Sequence, residues 1–192
     1  MSADGPFVPQ DFLTEDSEPI QHIEPFSFAV QRWVCENEPK ILQCHALKGG
    51  WEPWAQVELA LYLQQRLFKI GAEVITVTRE ESAYEGNRDR VDIMVKNARA
   101  GTHLIELKTE SQYNFAGFAD SVRKDFGKIE ETKTIKEAFL TKQAATLYSI
   151  VLSVSDEGHE AMAELGLYEL NPATEAVQCK QVRVWWYRKE IT

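Results

Sequence analysis

Asp92, Glu106 and Lys108 are the residues of this chain whose types and spacing could do chemistry. Val91-Asp92-Ile93-Met94-Val95 and His103-Leu104-Ile105-Glu106-Leu107-Lys108 read as two strands of a hairpin. The connection between them, Lys96-Asn97-Ala98-Arg99-Ala100-Gly101, is polar and ends in glycine, as such a loop should. Side chains alternate across a strand, so Glu106 and Lys108 share one face, and Asp92 and Met94 share one face of the preceding strand. If Val95 pairs with His103, Asp92 falls directly across from Glu106, with Cβ atoms about 4.5–5.5 Å apart. Two carboxylates at that separation repel unless one keeps its proton or a cation joins them. Oxygen-only ligation by few protein groups suits Mg²⁺ or Mn²⁺, ions that retain water and share phosphate oxygens. Lys108 can orient or help deprotonate an attacking water and stabilise charge on a phosphate. The competing reading is a salt-bridge cluster on the wet face of an antiparallel hairpin.

A third acid comes from the helix expected over residues 52–70. Trp54-Ala55-Gln56-Val57-Glu58-Leu59-Ala60-Leu61-Tyr62-Leu63 consists of helix formers with apolar residues on nearly every side, which predicts burial. Glu58 inside such a run needs a partner, and a metal ion would supply one. The alternatives place it on a wet stripe with Gln65 or against an arginine. Glu52, just before Pro53, is assigned to the helix entrance, where an acid and an early proline are both favourable.

An acid on a first helix, Asp92 on the second strand, Glu106-x-Lys108 on the third and a helix after it together resemble the PD-(D/E)xK nuclease superfamily. The resemblance covers roughly residues 50 to 155. It implies a restriction-endonuclease-like α/β core, a central mixed β-sheet flanked by helices in the order αβββαβ. Asp92, Glu106 and Glu58 would bind the metal, and Lys108 would be the catalytic lysine. Val91 stands where the motif's name has proline. Gln112 lies where some members carry an accessory polar residue. The implied activity is metal-dependent cleavage of phosphodiester bonds, with DNA as the first expectation for the substrate and RNA as the alternative.

Length and charge bound these expectations. The 192 residues, 44% hydrophobic, suit a single α/β domain over 28–192, preceded by an acidic, proline-containing arm over 1–27. The formal net charge of -9 opposes binding to nucleic acid, but 8 of the 30 acids against 2 of the 21 bases lie in residues 1–40. The catalytic region is therefore nearer neutral. No apolar run reaches the roughly 18 residues needed to cross a bilayer, and the N-terminus lacks signal-peptide character. Cys35, Cys44 and Cys179 are odd in number and lack Cys-x-x-Cys spacing, which predicts a reducing, intracellular compartment. A non-catalytic binding module built on the same fold, or an acidic protein-interaction partner, remains an alternative function.

The remaining elements position these residues. A short helix is expected over Phe28–Cys35, a first strand over Glu73–Thr78, and a charged loop over Arg79–Asp89. That loop offers Arg79, Arg88 and Arg90 to a substrate. Gly71 is expected to end the long helix. A helix over Phe115–Lys133 puts Phe115, Phe118, Val122, Phe126 and Ile129 toward the core, and Lys124 and Lys128 on its polar face, where they could follow a phosphate backbone. Strands follow over Ala145–Val154, 166–170 and 177–188, with a short helix capped by Asp156. The last strand puts Val182, Val184 and Trp186 on one face, and Arg183, Trp185 and Tyr187 on the other. Packing or a homodimer contact is the favoured explanation for those aromatics.

Overall fold

The apolar positions sort the chain into two helical layers around a sheet. The computed structural model describes residues 26–68, 75–85, 89–97, 101–131, 135–139, 145–170 and 179–191. The arm over 1–25, Gly71, Gly86, Asn87, Arg88 and Lys133 lie outside the described residues. Helices α1 (Phe26–His45) and α2 (Glu52–Phe68) precede strands β1 (Ile75–Glu81), β2 (Val91–Asn97) and β3 (Gly101–Thr109). Helix α3 (Phe115–Glu131), a single 3₁₀ turn (Glu137–Phe139), β4 (Ala145–Ser153), α4 (Asp156–Glu164), β5 (Tyr168–Glu169) and β6 (Arg183–Ile191) complete the order. From α2 to β4 the succession is therefore helix, three strands, helix, strand.

The six strands form one mixed sheet in the order β1-β2-β3-β4-β6-β5, in which only β3 and β4 run parallel. Helices α1 and α2 cover one face, where Val30, Trp33, Leu59, Leu63, Ile93, Ile105, Leu107, Ile150 and Trp186 form the largest core cluster. On the other face Phe118, Val122, Val151, Met162 and Trp185 pack α3 and α4 down. Coverage on both sides explains why β3 is buried almost throughout, as strands with parallel partners commonly are. Trp185 and Tyr187 are absorbed by this packing: Trp185 Nε1 donates to Ser153 Oγ at 2.7 Å, and Tyr187 lies 4.6 Å from the Phe126 ring. Phe115, expected in the core, is exposed at the start of α3.

Several boundaries differ from expectation for physical reasons. Helix α1 continues through Pro39, although a proline there removes a backbone donor and costs about 3 kcal/mol. Contacts on either side of the proline hold it. Phe26, Val30, Trp33, Val34 and Ile41 are buried, Asn37 donates to the Trp33 carbonyl at 2.8 Å, and Glu38 Oε1 accepts the N–H groups of Lys180, Gln181 and Val182 at 2.8, 2.7 and 3.0 Å. Beside Glu38, Cys35 and Cys179 are joined as a disulfide with Cα atoms 4.8 Å apart, leaving Cys44 free. Cysteine count and spacing alone do not anticipate this pairing. The two cysteines are 144 residues apart and meet only because α1 packs beside the approach to β6. Arg79 lies in β1 rather than in a loop, and donates to Gln56 Oε1 at 2.7 Å.

The cap of α4 is Ser155, whose side chain accepts the Gly158 N–H, rather than Asp156. Glu110 locks this junction to the end of β3. Its buried carboxylate accepts the N–H groups of Val154 and Ser155 at 2.6 and 3.1 Å and the Ser155 hydroxyl. A Cβ at Gly158 would stand 2.3 Å from Glu110 Oε2, so only glycine leaves room for the carboxylate. Three donors lose their acceptor in Glu110→Ala, and a loss of about 2–4 kcal/mol in urea denaturation is expected. A change under about 0.5 kcal/mol would contradict this role. No helix among the described residues is long and apolar enough to cross a membrane.

Candidate active site

The β2–β3 register brings Asp92 to the Glu106-x-Lys108 strand. Val95 pairs with His103 and Ile93 with Ile105, so the next positions along the two strands are Asp92 and Glu106. The ladder stops one step short of them. The Leu107 N–H donates instead to Asp92 Oδ2 at 2.7 Å, so a side chain replaces the backbone partner. On the opposite side of β2, Arg79 pairs with Ile93 and Glu81 with Val91, and Glu80 between them adopts a positive φ of 57°. A left-handed conformation costs a non-glycine residue about 1 kcal/mol or more. Both neighbours of β2 therefore depart from regular pairing at Asp92, where the sheet opens.

Helix α3 closes over Glu106 and Lys108. Glu106 is only 5% exposed, which removes the reading of a salt-bridge cluster on a wet hairpin face. Its Oε1 accepts the Tyr84 hydroxyl at 2.5 Å and the Lys128 ammonium at 2.7 Å. Lys128 Nζ also lies 4.7 Å from the Tyr84 ring centroid, within cation–π range. Lys108 Nζ is 3.2 Å from both Glu52 Oε1 and Asp125 Oδ2. Glu52 Oε2 stands 3.4 Å from the Thr109 N–H. Trp51 fixes the start of α2 for this purpose, its indole N–H donating to the Glu110 carbonyl at 2.7 Å. Four carboxylates, two ammonium groups and a phenol thus meet where α2, β2, β3 and α3 converge.

Burial and mutual repulsion set the protonation of the acids. Burial and then the Glu106 charge push Asp92 up to about 7, against the pull of the Leu107 N–H. Burial likewise raises Glu106, although Lys128 and Tyr84 pull it back. For Lys108 burial acts downward, but Glu52 and Asp125 carry it above its ordinary value. Burial and the Glu106 carboxylate hold the Tyr84 phenol protonated as a donor.

Other expected site residues are placed elsewhere. Glu58 is 3.9 Å from Lys40 with its side chain 38% exposed, and takes no part in the cluster. Helix α2 is wet along one side, where Val57 and Leu61 are exposed, so burial does not oblige Glu58 to find a metal. Glu52 supplies the helical acid instead. It lies within about 20° of buried Leu59 around the helix axis, whereas Glu58 lies about 100° away. Gln112 is exposed in the turn after β3, its N–H donating to the His45 carbonyl at 3.2 Å. Arg90 and Lys124 are exposed, Arg88 lies outside the described residues, and Lys128 has joined the cluster. Asp125 was also missed, yet its signal was present: it falls on the stripe of Phe118, Val122 and Ile129, where a carboxylate needs a partner. Tyr84 carried no such signal. It reaches the site through a loop whose isolated bridge to Ile135 no local pattern encodes.

Asp92 and Glu106 have the donor chemistry for a hard divalent cation. Among the described residues no three His, Cys, Asp or Glu side chains converge as a ready cage. Mg²⁺, however, commonly uses one or two carboxylates and completes its sphere with water and phosphate. Asp92 uses Oδ2 and Glu106 uses Oε1 in hydrogen bonds, while Oδ1 and Oε2 accept none among the described residues. The pair therefore fits a cation as two ligands of a partly solvated site. Comparisons with models of protein families, with curated proteins and with solved structures find no match for this chain.

Proposed function

We propose that this protein is a metal-dependent nuclease of the restriction-endonuclease-like kind, hydrolysing phosphodiester bonds within nucleic acid, with DNA as the first candidate substrate and RNA as the second. One observation carries the reading. Half-buried Asp92 and buried Glu106, at the opening of the β2–β3 ladder, share the site with Lys108, and Asp92 is raised to about 7 by burial and its neighbour's charge. Mg²⁺ or Mn²⁺ bound there would supply Lewis acidity and a more acidic water. Asp92 and Glu106 would hold the ion, the Leu107 N–H would fix the Asp92 rotamer, and Tyr84 would orient Glu106. Lys108, braced by Glu52 and Asp125, would present its positive charge to the scissile phosphate and orient the attacking water. An intracellular protein, alone or as a homodimer, is the setting proposed for this activity.

One observation favours a non-catalytic binding module instead: Glu106 already has a cation, Lys128, as its partner. Incubation with supercoiled plasmid, single-stranded DNA and RNA in Mg²⁺, Mn²⁺ or EDTA separates the two readings. Cleavage of at least one substrate with metal and none with EDTA is expected. Intact substrates under every condition would favour the binding module.

A further inference from the structure

Lys128 and Lys108 stand in different relations to the proposed metal ligands. Lys108 is paired with Glu52 and Asp125 rather than with either proposed metal ligand. Lys128 instead shares Glu106 itself, 2.7 Å from Oε1, the oxygen that also takes the Tyr84 hydroxyl. Glu106 is buried, whereas the Lys128 side chain, in the last turn of α3, retains partial exposure. An ammonium there occupies the acidic centre from a stem with several rotatable bonds and a route to solvent. The formal charge also balances: four carboxylates and two ammonium groups leave two negative charges, which one divalent cation would neutralise.

We propose that Lys128 is an exchangeable counter-ion of the acidic centre. It holds Glu106 when no divalent cation is present, gives way when one binds, and then offers its ammonium to a phosphate of the nucleic acid. This inference rests on the metal-dependent reading above. A dication and an ammonium on one carboxylate repel strongly in a partly buried site, and the flexible lysine is the group that moves. Tyr84 stays behind on Glu106 as a neutral donor, so the carboxylate keeps its orientation while its charged partner leaves. Once displaced, the ammonium no longer holds Glu106, and an anion a nuclease brings to this place is a phosphate oxygen.

Calorimetric titration of the nucleic-acid-free protein with Mn²⁺ tests the exchange apart from activity. Lys128→Met is expected to bind Mn²⁺ about tenfold more tightly than wild type, the order that one charge within about 4–6 Å produces. Lys128→Gln, which keeps a donor for Glu106 without the charge, should do the same if the methionine variant fails to fold. Lys108→Met should change the affinity less. Equal Mn²⁺ affinity in wild type and folded Lys128 variants would overturn the exchange and leave the metal-dependent reading standing. Absence of Mn²⁺ binding in both would overturn that reading and the exchange with it. For the destination of the released ammonium, the salt dependence of DNA binding in Ca²⁺ is read. Lys128→Met should lessen the slope of log K against log salt by about 0.9, one phosphate contact. An unchanged slope would overturn that destination.

Discussion

Lys108→Ala is expected to lower metal-dependent cleavage about 10²- to 10³-fold while leaving Mn²⁺ affinity within about threefold of wild type. The split follows from the geometry. Lys108 makes its ion pairs with Glu52 and Asp125 and none with Asp92 or Glu106, so its removal leaves both proposed metal ligands with their own hydrogen bonds. What is lost is a positive charge held in place beside the reacting phosphate. Preorganised charge of this kind acts mainly on the transition state, so kcat should fall more than KM rises. Lys108→Arg should recover little, because the larger guanidinium spreads its charge and engages the two carboxylates through a planar fork, so it does not place a compact charge where the ammonium stands. A parallel loss of Mn²⁺ affinity and activity would instead assign Lys108 a role in building the metal site.

The second large effect is on stability. Asp92→Asn should stabilise the metal-free protein at pH 8 by about 2–4 kcal/mol and should have little effect near pH 4. Asp92 is raised from 3.8 to about 7 in the folded protein. An acid whose folded value exceeds its unfolded value binds its proton more tightly when folded. It therefore costs no stability below about pH 4, and stability falls progressively as pH rises to about 7. Asparagine removes this step while keeping an oxygen for the Leu107 N–H. Urea denaturation at pH 4, 6 and 8 reads the difference. Adding Mn²⁺ at pH 8 should restore stability to wild type through binding to the folded state and should do so much less for the variant. Parallel pH profiles for the two proteins would contradict the assignment of Asp92 as a half-buried, repelled carboxylate.

The two substitutions draw on different parts of what the sequence reveals. The register of β2 and β3 was legible because a hairpin connection couples loop length to pairing, and Val95 does pair with His103. The order of helices and strands from α2 to β4 was legible through the period of apolar residues. Alternation also assigned Val184 and Trp186 to one core and Trp185 to the other. What escaped were features set by contacts between distant elements. Pro39 signals a helix end locally, and only the docking of Glu38 and the buried residues around it carry α1 onward. Cys35 and Cys179 carry no mutual signal across 144 positions.

The helical acid shows the same division at the site itself. The residues around Glu58 read as apolar on nearly every side, whereas Val57 and Leu61 mark a wet face. A wheel centred on Leu59 and Leu63 would have selected Glu52. Tyr84 could not have been found that way, because its place depends on how the loop after β1 folds against residues near Ile135. The departure from regular pairing at Glu80 and Asp92 is likewise tertiary. Nothing in the β-branched run of β1 announces a positive φ at Glu80.

Cleavage by wild type and Glu106→Gln, purified in parallel and assayed in Mn²⁺ on the same labelled nucleic acid, tests the central assignment most directly. Glutamine keeps the size of the side chain and an acceptor for Tyr84, but removes the charge that would hold the ion. The expected result is EDTA-sensitive cleavage by wild type and a rate at least about a hundredfold lower in Glu106→Gln. Equal rates in the two proteins, or no cleavage and no Mn²⁺ binding by wild type, would contradict it.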